Sequence, residues 1–412
     1  MGAEYRSRTA GQENLDARLR DLLRRQPEGC ALLQEFYLDP EIFERDLERL
    51  HLGHWLCVGH LSRIPRSGDY FVFDIARESL IIVRGKDDEV RALVNVCRHR
   101  GSHVCYDKEG HSNKLACPYH GWTYNLDGSL FSARLADEAM DKSQYGLAQV
   151  QLRTIEGLIF VCFADDPPSL EAAEAALAPA LKHYGWATAK VAHRDTYSVD
   201  ANWKLATENY LECYHCAPAH PEFSQIHATD EPIERNEGRR QEALRRARSF
   251  GIELPRYSRQ FGEAGEGEGF DVFHDATHPG AVTGSEDGQA VAPLMGDFED
   301  YNEGFTYLDL GPASFFLAYP DYGVLFFFVP RSCQKTDMEI VWLVDGNAEE
   351  GRDYELSRLI WMWDVTTRAD KIIIDHNQKG VSSRYYRPGP YTPMESYTQS
   401  FAGWYLEQIA PS

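Results

Sequence analysis

No stretch of these 412 residues approaches the roughly 18 uninterrupted apolar residues that cross a bilayer, and the most apolar run, Val324 to Val329, has the length of a strand. A membrane-spanning chain is not expected. The opening residues, Met1-Gly2-Ala3-Glu4-Tyr5-Arg6, lack an apolar signal core, and Arg6 stands where a myristoylation motif requires Ser or Thr. The expected location is the cytoplasm. Positive charge is scarce: 42 Lys and Arg face 64 Asp and Glu, a formal net charge of −22, with no basic stripe to offset it. Such a chain repels a phosphate backbone, so nucleic acid is not an expected partner, and small molecules and proteins are. The nine cysteines, Cys30, Cys57, Cys97, Cys105, Cys117, Cys162, Cys213, Cys216 and Cys333, form an odd and scattered set. Without an export signal they point to metal ligation rather than to a disulfide framework.

What is present is a folded enzyme's composition, 43% hydrophobic and 12% aromatic over a length that accommodates two or three domains. Leu15, Leu19, Leu22 and Leu23 recur at helical spacing, and Asp39-Pro40 is an N-cap followed by a favoured first helical residue. Residues 1–50 therefore read as two helices, an arm packing on the catalytic part. Short apolar runs punctuated by turns, Trp55–Val58, Tyr70–Ile75, Leu80–Val83, Val90–Val96 and Leu158–Phe163, make residues 51–165 an all-β domain. Residues 166–412 combine a helix over Ser169 to Leu181, a strand near Val191–Val199 and a helix capped by Asp200 that runs through His215. Further strands follow at Gly304–Leu310, Ser314–Tyr319, Val324–Val329 and Met338–Val344, and a long helix from about Arg352 to Gln378. The expected class is α+β, an all-β domain followed by an antiparallel sheet covered by helices. Residues 232–300, dense in Gly and charge, read as long loops over a site with a short helix near Arg239–Ser249.

Cys97-Arg98-His99 and Cys117-Pro118-Tyr119-His120 are mixed Cys/His pairs with 17 residues between them, each in a turn past a strand. Two thiolates and two imidazoles are the ligand set of a Rieske cluster. Zinc accepts the same donors, but its sites favour Cys-x-x-Cys and His-x-x-x-His pairs over two mixed ones. The runs Cys97-Arg98-His99-Arg100-Gly101 and Cys117-Pro118-Tyr119-His120-Gly121-Trp122 resemble the cluster loops of Rieske ring-hydroxylating oxygenases. The resemblance implies a [2Fe–2S] cluster held by Cys97, His99, Cys117 and His120. Tyr119 stands where respiratory Rieske proteins carry an extra cysteine, so Cys105 has no evident mate; His103 and His111 read as polar loop residues.

Asn202-Trp203-Lys204 opens a second segment that contains Glu208-Asn209, Glu212, His215 and His220, with Pro218 and Pro221 breaking the helix between and after the histidines. A non-haem Fe(II) oxygenase needs two His and one carboxylate on one face, leaving positions for O₂ and substrate. The segment resembles the same family's Asn-Trp-Lys … Glu-Asn … carboxylate-x-x-His-x-x-x-x-His signature, which implies that His215 and His220 bind a mononuclear Fe(II) and that Asn209 and Glu212 serve catalysis around it. The long helix offers Asp364, Asp370 and Asp375 as the carboxylate; the likeness favours Asp370, eight residues before Gln378 of Gln378-Lys379-Gly380, with Asp375 as runner-up. Cys213 and Cys216 read as packing residues of a helix.

The resemblance also implies a homotrimeric ring in which His120 of one protomer, Glu212 of the next and its His215 form an electron path, fed by a separate NAD(P)H-dependent reductase of flavin or ferredoxin type. Most family members have Asp where this chain has Glu212. Glu212-Cys213-Tyr214-His215-Cys216 is similar to the subgroup acting on betaines, choline and carnitine, which implies oxidative N-demethylation of a small quaternary ammonium compound such as proline betaine or glycine betaine, with loss of formaldehyde. Hydroxylation of an aromatic ring is the alternative, and pure electron transfer a third. Ten aromatics between Tyr301 and Phe328 could cage a quaternary ammonium or fill a core.

Overall fold

The structure is a computed structural model that describes residues 2–228, 233–260 and 267–411. The short turn-bounded runs of the first third form β1 (Leu56–His60), β2 (Asp69–Ile75), β3 (Glu78–Arg84), β4 (Val90–Val94) and β5 (Glu109–His111). After them come β6 (Leu115–Ala116), β7 (Thr123–Tyr124), β8 (Leu130–Ser132), β9 (Gln149–Ile155) and β10 (Leu158–Cys162). Seven of these strands make one antiparallel sheet in the order β1-β10-β9-β4-β3-β2-β5, and β6-β7-β8 make a small separate one. Both cluster motifs sit on turns of this part, one between β4 and β5 and the other between β6 and β7.

A second seven-stranded antiparallel sheet is built from β11 (Lys190–Val199), β12 (Tyr257–Gln260), β13 (Phe270–Ala276), β14 (Gly304–Leu310), β15 (Ser314–Ala318), β16 (Gly323–Ser332) and β17 (Lys335–Val344). Successive hairpins join β12 to β17, and β11 adds beside β17. Side chains alternate across a strand, so each strand feeds two cores. Leu308, Leu310, Phe316, Leu325, Val341 and Leu343 pack with Val58, Phe160 and Leu177, joining this face to the first sheet. Phe305, Phe315, Leu317, Phe326, Ile340 and Trp342 pack instead with helix residues and with Leu19, Phe36 and Leu47 of the N-terminal arm.

The helices are α1 (Gly2–Arg25), α2 (Gln34–Leu38), α3 (Pro40–Asp46), α4 (Glu171–His183), α5 (Trp203–Tyr210), α6 (Cys216–Ala219), α7 (Pro221–Ser224), α8 (Ile233–Ser249), α9 (Leu356–Val381) and α10 (Ser396–Ile409). Asp39 caps α3 as expected, accepting from the Glu41 amide at 2.8 Å. No helix among the described residues is long and apolar enough to cross a membrane.

Four expectations need correction, the first being that the N-terminal arm holds three helices, α1, α2 and α3, rather than two. Residues 232–300 are not mainly loops: they hold α8, β12 and β13, while 229–232 and 261–266 lie outside the described residues. β13 reads as polar because Asp271, His274 and Asp275 interrupt it, yet both its faces are buried and the polar groups are partnered, as in Arg240 Nε to Asp275 at 2.9 Å and His274 Nδ1 with Thr306 Oγ1 at 3.0 Å. The helix before the histidines is capped by Asn202, whose side chain accepts from the Lys204 amide at 3.1 Å, not by Asp200. That helix also stops at Tyr210 rather than running through His215. The two motif cysteines after it, expected as thiols packed in a helix, form a Cys213–Cys216 disulfide across the turn.

Candidate metal centres

The two cluster loops have the same backbone plan. The Cys97 carbonyl accepts from Gly101 N at 2.9 Å and the Cys97 amide donates to Ser102 O at 2.8 Å; Cys117 repeats this with Gly121 at 3.0 Å and Trp122 at 2.8 Å. Each turn needs a left-handed residue to close, and Gly101 and Gly121 supply it at φ of 80° and 75°. The sulfurs are thereby drawn inward, with Cys97 and Cys117 buried, while His99 is exposed and His120 half-buried at the tip. The two imidazoles lie 4.6 Å apart between centroids, and Trp122 stacks on His99 at 4.9 Å. Tyr124 is the contributor that the motif did not announce. Its oxygen accepts from Arg98 N at 3.0 Å, which directs its O–H onto Cys97 Sγ at 3.2 Å, the kind of sulfur hydrogen bond that raises a cluster's potential. Cys105 carries a free, buried thiol, pushed up to about 12 by burial, with Tyr70 opposing.

The second centre is anchored by a buried ion pair. Lys204 meets Asp46 of α3, both fully buried, and Asp46 also accepts from Trp203 Nε1 at 3.2 Å and Tyr405 O–H at 2.9 Å. Asn202 N donates to Gln378 Oε1 at 2.8 Å, which ties the start of α5 to the end of α9. The Asn202-Trp203-Lys204 signature is thus a scaffold that fixes one helix against another. Two turns on, Glu208 accepts from Tyr37 O–H at 2.9 Å; burial pushes this carboxyl up to about 8, against the Tyr37 hydrogen bond.

Beyond Tyr210 the chain turns because Glu212 competes for its backbone. Glu212 Oε2 accepts from the amides of Tyr214 and His215, the latter at 3.2 Å, and Oε1 lies 2.6 Å from His215 Nδ1. His215 Nε2 is left facing Asp370 Oδ1 at 3.3 Å, and His220 Nε2 faces the same oxygen at 3.2 Å. Those separations suit hydrogen bonds, yet His220 Nε2 and Asp370 Oδ1 are buried with no hydrogen-bond partner among the described residues. The three atoms border one shared space. Burial alone would favour a neutral His215, but Asp370 and Glu212 override it and push the ring up to about 9. The two carboxylates thus favour positive charge at this ring, and a divalent cation on the Asp370 side supplies it.

Of the three aspartates on α9, Asp364 takes Tyr197 O–H at 2.5 Å and Arg368 at 2.8 Å, and Asp375 accepts from the Asp200 amide at 2.7 Å and pairs with Lys371 at 3.1 Å. Asp370 is the one brought to the histidines. Asn209 Nδ2 lies 3.4 Å from His215 Nε2, on the rim of the set. A cavity of about 510 Å³ adjoins these groups, lined among others by Asn209, Glu212, His215, Asn377 and Tyr391. On the sheet side Tyr210 stacks on Phe315 at 4.4 Å and meets Phe326 at 5.1 Å, while Phe223 lies edge-on to His220 at 5.5 Å and 5.7 Å from Trp363.

Comparison with known proteins agrees with this geometry. Residues 54–150 match the Rieske [2Fe-2S] domain and residues 186–411 match the ring hydroxylating alpha subunit catalytic domain. The chain belongs to the Rieske ring-hydroxylating oxygenase alpha-subunit family. It is 34% identical over 397 residues to the glycine betaine monooxygenase oxygenase subunit of Pseudomonas aeruginosa, covering 94% of this chain and 91% of that one. It is 37% identical over 208 residues to the carnitine monooxygenase oxygenase subunit of Escherichia coli K12, covering 48% of this chain and 54% of that one. Its fold matches the crystal structure of the quaternary ammonium Rieske monooxygenase CntA with a TM-score of 0.71 at 23% identity, over 92% of this chain and 95% of that chain.

As a member of this family the protein is a non-haem iron oxygenase, an oxidoreductase whose cofactors are the Rieske [2Fe–2S] cluster and a mononuclear iron. Oxygenase subunits of this kind form multimers and draw on a separate reductase. The donor chemistry fits both groups: two buried sulfurs with two imidazoles on one side, and two imidazole nitrogens facing one carboxylate oxygen on the other.

Proposed function

We propose that the chain is the oxygenase component of an O₂-dependent N-demethylase for a small quaternary ammonium compound of the glycine betaine or proline betaine kind. The observation that carries this is the convergence of His215, His220 and Asp370, with Phe223 edge-on to His220 and Trp363 behind it, in a chain whose full-length relatives include glycine betaine monooxygenase subunits. In this reading Cys97, His99, Cys117 and His120 hold the cluster, and His215, His220 and Asp370 hold Fe(II). A 2-His-1-carboxylate iron supplies O₂ activation at positions the protein leaves open.

The chain's own residues do the rest. Glu212 accepts a hydrogen bond from His215 Nδ1–H and so turns Nε2 toward the site, where its lone pair would serve the iron. Asn209 borders that nitrogen from the last turn of α5. Phe223, edge-on to His220 at 5.5 Å and 5.7 Å from Trp363, brings aromatic rings to the site, and a ring face turned to a cation contributes about 0.5–2 kcal/mol. Hydroxylation of one N-methyl carbon, consuming O₂, two electrons and two protons, gives an N-hydroxymethyl ammonium and water; its O–H proton leaves, the N–C bond breaks with the pair going to nitrogen, and formaldehyde and a tertiary amine remain. A pure electron-transfer protein has no use for the second donor set.

The proposal extends to the assembly. Residues 1–50, 51–165 and 166–412 act as arm, cluster domain and catalytic domain; three protomers close a ring in which His120 approaches Glu212 of the neighbouring protomer. Electrons come from NAD(P)H through a flavin or ferredoxin-type reductase, in the cytoplasm. To test the function, the iron-loaded oxygenase is supplied with electrons and O₂ and offered glycine betaine, proline betaine, choline, carnitine and naphthalene. Formaldehyde equimolar with a tertiary amine is expected from a betaine. A ring-hydroxylated product with no formaldehyde from any ammonium compound would overturn the reading.

A further inference from the structure

The Cys213–Cys216 disulfide encloses His215 and lies against the proposed iron site, and the function above gives it no role. The ligating atoms of His215, Cys216 and His220 all fall within 4.8 Å of one another, and Asp370 Oδ1 is 3.2 Å from His220 Nε2. Metal bonds of about 2.0 Å to nitrogen and 2.3 Å to sulfur place tetrahedral ligand atoms about 3.5 Å apart. Cys216 therefore lies near enough to both histidines for rotation of an unbridged cysteine side chain to bring its sulfur to ligand distance. A disulfide sulfur is a poor donor, whereas a thiolate is a strong one that favours zinc over iron.

We propose that Cys216 is a latent metal ligand, masked by its bond to Cys213, so that the oxidised chain presents two histidines and a carboxylate and the reduced chain a closed site that adds a thiolate. The inference rests on the iron site proposed above. The two sulfurs differ in access: Cys213 is half-buried and Cys216 is buried at 3% exposure. A dithiol reductant therefore attacks Cys213 Sγ. The S–S bond breaks, its electron pair leaves on Cys216 Sγ, and the second thiol of the reductant displaces Cys213 from the mixed disulfide. Two electrons and two protons pass to the protein, and the reductant becomes a cyclic disulfide. When a metal binds, the Cys216 proton goes to solvent as the sulfur–metal bond forms. A disulfide of this kind in a chain expected in the cytoplasm fits redox sensing better than structural bracing.

The test uses the full chain with its cluster intact and the mononuclear iron removed by chelation. Co(II) is added to three samples: oxidised protein, protein reduced with dithiothreitol and desalted under argon, and unreduced Cys213→Ser, in which Cys216 has no bridging partner. Difference spectra are expected to show a near-ultraviolet sulfur-to-cobalt charge-transfer band in the second and third samples and none in the first. Cys216→Ser is expected to lose the band under every condition while still binding cobalt. Elemental analysis after exposure to equal Zn(II) and Fe(II) is expected to shift toward zinc in reduced protein. Cobalt bound without the sulfur band in both reduced and Cys213→Ser protein overturns the inference and leaves the histidine–carboxylate site standing. Cobalt not bound at all overturns both. Alkylation of both cysteines in protein isolated without reductant removes the disulfide and the inference with it.

Discussion

Replacing Glu212 by Gln keeps the volume of the side chain and tests the tautomer argument directly. Glu212 uses both oxygens as acceptors, Oε1 for His215 Nδ1 at 2.6 Å and Oε2 for two backbone amides. Glutamine has one oxygen and one NH₂, so it cannot reproduce both. If its oxygen faces the amides, the NH₂ faces Nδ1 and drives the ring proton to Nε2, the nitrogen on the side of the proposed iron. If its oxygen faces Nδ1, two backbone donors lose a charged acceptor, each such hydrogen bond being worth about 1.5–3 kcal/mol. Loss of a carboxylate behind a ligating histidine weakens metal binding by about 10–100-fold, or about 1.4–2.7 kcal/mol. We expect Glu212→Gln to fold with a normal cluster spectrum, to bind Fe(II) 10–100-fold more weakly in an anaerobic titration, and to turn over slowly even at saturating iron. Native Fe(II) affinity together with the native rate would refute the reasoning.

Asp370→Ala should lose the mononuclear iron while Asp375→Ala and Asp364→Ala retain it, because the latter two are engaged with Lys371 and Arg368; iron analysis on cluster-replete protein decides, and the reverse pattern would move the ligand. Tyr124→Phe removes one O–H···S hydrogen bond, worth about 1 kcal/mol, and should lower the one-electron potential of the cluster by about 40 mV in protein-film voltammetry; an unchanged potential would show that the hydroxyl does not act on Cys97. In the metal-free protein His215 is pushed up to about 9, so its contribution to stability is complete below about pH 6.5 and is lost as pH rises to about 9. The same proton must leave when a metal binds. Fe(II) affinity should therefore rise about tenfold per pH unit between about pH 7 and 9, and a flat dependence would exclude a protonated His215.

Much of this protein is legible in its residues alone because its chemistry is local. Each cluster loop needs only a cysteine, a histidine and a glycine four residues after the cysteine, a spacing set by one turn's hydrogen bonds. Periodicity likewise marked most strands of both sheets, because their alternation answers to two cores. β13 was hidden for the opposite reason: its Asp275 and His274 are satisfied by Arg240 and Thr306, which no window around them contains. The sequence alone settles which donors are available: two mixed Cys/His pairs, two histidines near a helix end, and three aspartates one or two turns apart on a long helix. The tertiary structure decides among them. Asp370 rather than Asp375 meets the histidines because Gln378 and Asp375 pin the start of α5 to α9 and fix the rotation of one helix against the other. The turn at Glu212 and the Cys213–Cys216 bond likewise appear only in three dimensions, where a carboxylate outcompetes the helix for the amides of Tyr214 and His215 and brings the two sulfurs together. Donor identity is a property of residues, but convergence depends on long-range packing that local spacing does not encode.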